Sequence, residues 1–166
     1  MISNQILQSN IDGLKEITRI DLCVCDIEGK VLASTFENAE EYESSILAFV
    51  DSKLGQRMKT AAEQNALYRE QPFVIAQKMN QIEAAWNGEE TVLVQGIIDA
   101  YFIEDDEIVL VDYKTDKVSP GGEQDLIDLY HIQLEDYAAA LERMLQKKVK
   151  ETYIYSFTLR KMIPLS

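Results

Sequence analysis

The chain has 166 residues, 46% of them hydrophobic, and carries a formal net charge of −13. That length and apolar content suit one ordinary domain, or one domain with a small appendage, and exclude a disordered chain. The acidity argues against a free-standing nucleic-acid binder, whose phosphate contacts come from Lys and Arg; such a role needs metal ions, or basic surface from another chain or a missing part of this one.

The first segment, MISNQILQSNIDGLKEI, lacks the basic start and apolar block of a secretory signal. No run approaches the roughly 20 apolar residues of a membrane span, so a cytoplasmic chain with no membrane partner is expected. Within residues 4–17, Ile6, Leu7, Ile11, Leu14 and Ile17 recur at helical spacing. RIDLCVCDIEGKVLAST then reads as two short strands joined by a turn at Asp26–Lys30. Its cysteines, Cys23 and Cys25, are too close for an easy disulfide and too few for zinc, and are expected as small core residues on one strand face. Helices are expected over 37–50 and 52–67. EQPFVIAQKM, opening at the turn-type Pro72, contains a short strand, and NQIEAAWNGEE is a polar connection with a helical turn. Strands over 91–103 and 107–115 flank a hairpin turn at Glu104–Asp106. DKVSPGGEQ is a loop, a helix spans Asp125–Gln146, and a strand covers 149–159. The chain has no GxxxxGK[ST] segment, so it hydrolyses no nucleotide by a P-loop route. Helix, hairpin and helices followed by strand, strand, strand, helix, strand make a mixed α/β layer arrangement.

IVLVDYKTD, Ile108 to Asp116, begins as a buried-type strand and ends in charge. Strand side chains alternate, so Ile108, Leu110, Asp112 and Lys114 share one face, opposite Val109, Val111 and Tyr113. In the preceding strand Gln95, Ile97, Asp99 and Tyr101 share a face, opposite Val94, Gly96, Ile98 and Ala100. If the two strands form a hairpin, Asp99 and Asp112 approach each other across the pair. Two carboxylates inside an apolar sheet repel unless a cation sits between them, and oxygen ligands of this kind suit Mg²⁺ or Mn²⁺. Lys114, on the face of Asp112, can hold a water or a phosphate oxygen. A structural salt bridge is the plainer account of an Asp–x–Lys at a strand end. In the following helix Leu126, Tyr130, Gln133, Tyr137, Ala140, Leu141 and Met144 form one stripe. Gln133 in that stripe needs partners, either in the loops or, with Tyr137 one turn on, at the metal site and its phosphate.

The segments VQGIIDAYF, IVLVDYKTDKV and YHIQLEDYAAALE, with SKLGQRMKTAAEQNALYREQPFVI upstream, resemble the nuclease domain of the RecB type in the PD-(D/E)xK superfamily. They are nearest the C-terminal nuclease of the A subunit of AddAB-type helicase–nucleases, over roughly residues 52–160. The resemblance implies a restriction-endonuclease-like α/β fold, a mixed sheet flanked by helices with an N-terminal helix–hairpin appendage. It implies Asp99, Asp112 and the backbone carbonyl of Tyr113 as ligands of Mg²⁺ or Mn²⁺, Lys114 as the catalytic lysine, and supporting roles for Gln133 and Tyr137. DNA is the implied substrate, cut at phosphodiesters from single-stranded ends, beside a helicase motor and a second nuclease subunit. The chain departs from the family in two respects: no GxxxH-like segment with a metal-binding His is found, the lone His131 standing beside the QLxxY motif instead, and the helicase is absent. Residues 1–50 are similar to the start of sugar-diacid-type transcriptional regulators, which sets a boundary between a helix–hairpin segment, 1–50, and a nuclease-like domain, 51–166.

The expected function is therefore a metal-dependent deoxyribonuclease module of a DNA end-processing and repair exonuclease. Two alternatives remain: a catalytically weak or inactive nuclease-fold module used for DNA contact or assembly, and a small-molecule sensor led by residues 1–50.

Overall fold

The computed structural model describes residues 3–26, 28–78 and 90–165; the expected connection over NQIEAAWNGEE lies, but for its last residue, outside them. In chain order the elements are α1 (Asn4–Thr18), β1 (Cys23–Cys25), β2 (Val31–Ser34), α2 (Ala39–Asp51), α3 (Lys53–Glu63), β3 (Leu67–Lys78), β4 (Thr91–Glu104), β5 (Glu107–Lys114), α4 (Glu123–Leu145), β6 (Val149–Ser156) and β7 (Lys161–Pro164). The β1–β2 hairpin is a sheet of its own, and β3-β4-β5-β6-β7 form the main sheet. Every pairing in that sheet is antiparallel except β5–β6, whose parallel pairing follows from the crossover through α4. The fold is the expected mixed sheet flanked by helices.

Two hydrophobic layers sandwich the sheet. Leu126, Leu134, Ala140 and Leu141 of α4 pack on Ile98, Tyr101, Ile108, Leu110 and Ile154. On the other face Leu54, Met58 and Ala61 of α3, with Phe49 of α2, pack on Ala100, Phe102, Val109 and Val111. β5 is thus covered on both sides, and Ile108 through Val111 are fully buried, which is why its sequence is continuously aliphatic. Arg57 locks α3 to the far end of the sheet. Its guanidinium grips Glu104 through Nε at 2.9 Å and Nη2 at 2.7 Å, and donates to Glu151 through Nη1 at 2.7 Å. α2 turns into α3 with no room to spare: a Cβ on Gly55 would stand 2.1 Å from the Phe49 carbonyl oxygen.

Several expectations change. The β4–β5 turn is the two residues Asp105 and Asp106, both at positive φ (53° and 67°), as a tight right-twisted hairpin requires. The strand expected over 149–159 is two strands, with a turn at Phe157–Arg160. Met144 is exposed, and Leu134, absent from the sequence-derived stripe, takes a buried place in α4. α1 buries only Ile11; Ile6, Leu14 and Ile17 face outward. Cys25 is exposed and Cys23 half-buried, because the small β1–β2 sheet has no thick core to receive them, and both are free thiols.

The alternation expected along β4 also fails at one place. The β3–β4 register is continuous except for the step between Arg69↔Ala100 and Gln71↔Ile98, where Glu70 and Asp99 are not paired and Glu70 sits at φ 48°. Tyr101 lies on the α4 face and Ala100 on the α3 face, but Ile98 returns to the α4 face with Val94. Gly96 lies there too, under Phe73 and Tyr137. Both strands therefore switch faces at Glu70/Asp99, a local kink of the kind that re-aims a side chain.

Candidate active site

The end of β5 carries the site. β4–β5 pairing stops at Ala100↔Val111, so Asp99 and Asp112 occupy the next positions on the two arms. Asp99 does not continue the ladder with its backbone; its Oδ2 accepts the Tyr113 backbone N–H at 2.8 Å. This contact anchors the Asp99 carboxylate beside that of Asp112. Asp112 is 2% exposed, and burial, more than the neighbouring Asp99 charge, pushes its carboxyl above the ordinary aspartate range, while Lys114 opposes the rise.

Lys114 Nζ lies 2.6 Å from Asp112 Oδ2, in an ion pair whose angle does not make a directed hydrogen bond. The same ammonium donates to Gln133 Oε1 at 3.2 Å and sits 4.0 Å from the centre of the Tyr130 ring. Gln133 in turn donates from Nε2 to the Tyr137 hydroxyl at 2.7 Å. The half-buried amide that looked out of place on an apolar stripe thus has both ends satisfied, and α4 holds the lysine by a chain of Gln133 and Tyr137. Tyr130 adds an outer contact, donating its hydroxyl to Asp116 Oδ1 at 2.9 Å. Tyr130 and Asp116 were not singled out from the sequence as site residues, although Tyr130, Gln133 and Tyr137 stand at the i, i+3, i+7 spacing of one helix face.

Asp99, Asp112, Lys114, Gln133 and Tyr137 are therefore brought together by β4, β5 and α4. Tyr113 points the other way, its ring edge-on to Phe49 and its hydroxyl 4.0 Å from Met58 Sδ; burial pushes that phenol up to about 12. His131 is exposed, with Nδ1 against the carbonyl oxygens of its own helix at Ile127 and Asp128. Among the described residues no third Asp, Glu, His or Cys joins the acid pair. Two converging carboxylates are hard oxygen donors, one of them buried and facing a lysine, and that set fits a small divalent cation whose remaining positions would be filled by water and substrate oxygens.

Residues 15–161 match the model of the PD-(D/E)XK nuclease superfamily. The chain is similar to proteins named as the A subunit of an ATP-dependent helicase/nuclease. The relative from Clostridium perfringens is 44% identical over 126 residues, covering 73% of this chain and 10% of the relative. That from Lachnoclostridium phytofermentans is 39% identical over 148 residues, covering 69% and 11%, and that from Bacillus cereus is 42% identical over 163 residues, covering 91% and 13%. The chain thus spans about a tenth of the length of these relatives. Among the described residues no helix is long and apolar enough to cross a membrane. With the matched range enclosing the acid pair, the lysine and the Gln133–Tyr137 relay, the chain belongs to the PD-(D/E)XK nuclease superfamily.

Proposed function

We propose that this chain is the nuclease module of a DNA end-processing helicase–nuclease, hydrolysing phosphodiesters of single-stranded DNA ends. The observation that carries the reading is the convergence of Asp99 and Asp112 at one sheet end with Lys114 2.6 Å from the second acid. In this reading Asp99, Asp112 and the Tyr113 carbonyl hold Mg²⁺ or Mn²⁺, which when bound polarises a phosphoryl oxygen and lowers the pKa of water. Lys114 then leaves Asp112 for a phosphate oxygen or the attacking water, while Gln133 and Tyr137 keep its ammonium aimed at the cleft. A second nuclease subunit, with the helicase motor, belongs to the same proposal, resting on the names of relatives of which the chain covers about a tenth.

The proposal keeps a division at residue 50. α1, β1 and β2, with their separate two-stranded sheet, support a distinct first segment. α2 already touches the main sheet, with Phe49 against Tyr113 and Tyr155, and the Tyr155 hydroxyl donating to the Ser45 carbonyl.

Linear single-stranded DNA incubated with the chain and Mn²⁺ or Mg²⁺ tests the reading. Slow cleavage that Asp112→Ala abolishes is the expected result, and equal cleavage by both proteins removes Asp112 from the chemistry. A second reading, an inactive module used for DNA contact or assembly, is favoured by the lack of a third carboxylate or imidazole among the described residues at the site. It predicts DNA binding with no metal-dependent cleavage.

A further inference from the structure

On the α3 side of the sheet, a hollow of about 520 Å³ opens between α2, α3 and the start of β3. Phe49, Met58, Leu67 and Tyr113 give it apolar walls, and Lys59 and Arg69 stand at its rim with Glu63. We propose that this hollow binds one nucleotide of a single DNA strand, next to the bond being cut; the proposal rests on the nuclease reading and names where its substrate lies.

Three observations converge on that occupant. The first is charge. In a chain of net −13, most of the cations that pack against the sheet are committed: Arg57 and Lys150 to Glu104, Lys114 to Asp112. Lys59 and Arg69 are exposed and make no ion pair among the described residues, so the opening sets two free cations against one acid, Glu63, in an otherwise acidic protein. The second is shape and chemistry. Apolar and aromatic walls beneath two cations match a base beneath its phosphate, the combination by which single strands are held without sequence preference. A base stacked inside a duplex cannot enter such a hollow, whereas an unpaired one can.

The third is position. Tyr113 is a wall of the hollow, and its own backbone N–H holds the Asp99 carboxylate. Arg69 pairs with Ala100, one residue from Asp99 and beside the Glu70/Asp99 kink. A nucleotide seated there is held by the same stretches of β5 and β4 that fix the acid pair. The hollow lies on the α3 face of the sheet, opposite the face that carries Lys114 and its α4 partners, and the two meet at the end of β5 through Tyr113.

The test measures binding apart from cleavage. Fluorescence anisotropy of a labelled oligothymidylate in EDTA, over a series of salt concentrations, compares the wild type with K59A/R69A. The double variant is expected to bind at least about tenfold more weakly, with a log K against log salt slope smaller by about 0.7 for each phosphate deprived of its cation. K59R/R69K retains binding, and an oligonucleotide abasic at its terminal positions binds about fivefold or more weaker than the intact strand, as loss of one stacked base requires. Circular dichroism melts of the variants establish that both stay folded, as their exposed positions imply. Unchanged affinity and slope in K59A/R69A, or blunt duplex competing as well as single strand, overturns the proposal. Failure of the nuclease reading is distinct: cleavage insensitive to Asp112→Ala leaves these binding results as they are.

Discussion

Asp99 Oδ2 accepts the backbone N–H of Tyr113 at 2.8 Å, at the point where β4 and β5 cease to pair. A side chain thus takes the place of a ladder bond, and in doing so it parks one carboxylate beside the buried carboxylate of Asp112. The contact separates two roles of Asp99, holding the strand end and binding a cation, because an amide can do the first but is a poor substitute in the second.

Asp99→Asn is expected to melt close to the wild type, its carbonyl oxygen keeping the bond to Tyr113, but to lose Mn²⁺ binding. Asp99→Ala leaves that N–H unmatched and loses about 1–3 kcal/mol of stability as well. Thermal denaturation paired with calorimetric Mn²⁺ titration checks both. Wild-type Mn²⁺ affinity in Asp99→Asn would remove it from the proposed ligand set.

Gln133 reaches Lys114 and Tyr137 at once. Gln133→Ala leaves the ammonium to Asp112 and the Tyr130 ring, and is expected to lower kcat about 10- to 100-fold with KM little changed. Tyr137→Phe, which removes only the outer bond, should lower it less. Steady-state kinetics on linear single strands reads the split; a rise in KM at constant kcat would place Gln133 in substrate binding instead.

The α2–α3 corner tolerates no side chain at Gly55, since the added Cβ meets backbone oxygen rather than a movable group. Gly55→Ala is expected to cost about 2–3 kcal/mol, at the upper end of overpacking effects. In a chain of this size each kcal/mol lowers Tm by roughly 2–4 °C. An unchanged Tm would mean that the two helices can separate without loss.

The Arg57 cluster is expected to tie stability to acid pH. Its guanidinium first, and Lys150 second, lower the Glu104 carboxyl from 4.5 to about 2, and Arg57 lowers Glu151 as well. A depressed carboxylate contributes stability that is present above the unfolded pKa and disappears as pH falls toward the folded one. Melting temperature should therefore be flat from pH 7 to pH 5, in terms of this cluster, and fall between about 4.5 and 2. Arg57→Ala should lower stability at neutral pH by about 1–2 kcal/mol and flatten that acid limb. An acid limb as steep as in the wild type would assign acid unfolding to other carboxylates.

Much of the site was legible along the chain because it is built from local periodicities. A two-residue period places Asp112 and Lys114 on one face of β5, and a helical period places Gln133 one turn from Tyr137; neither depends on what lies across from them. The aliphatic run Ile108–Val111 likewise announces a strand covered on both sides, as it is. Where the reading failed, the cause lies elsewhere in the chain. Phe157–Arg160 has no Gly or Pro to mark the turn before β7, so its strand is defined by pairing with β6. Cys25 and Ile17 have core-type side chains that the small N-terminal sheet leaves uncovered.

By itself the sequence determined the residue types, their faces on β5 and α4, and the order of the strands in which they lie. Only the tertiary structure decided that β3 and β4 switch faces together at Glu70 and Asp99, and that Lys59 and Arg69 meet Tyr113 at one hollow. The physical reason is that alternation orients a side chain relative to its own strand alone. Where a ladder breaks, and which distant cation borders the break, is set by contacts between segments that are far apart along the chain.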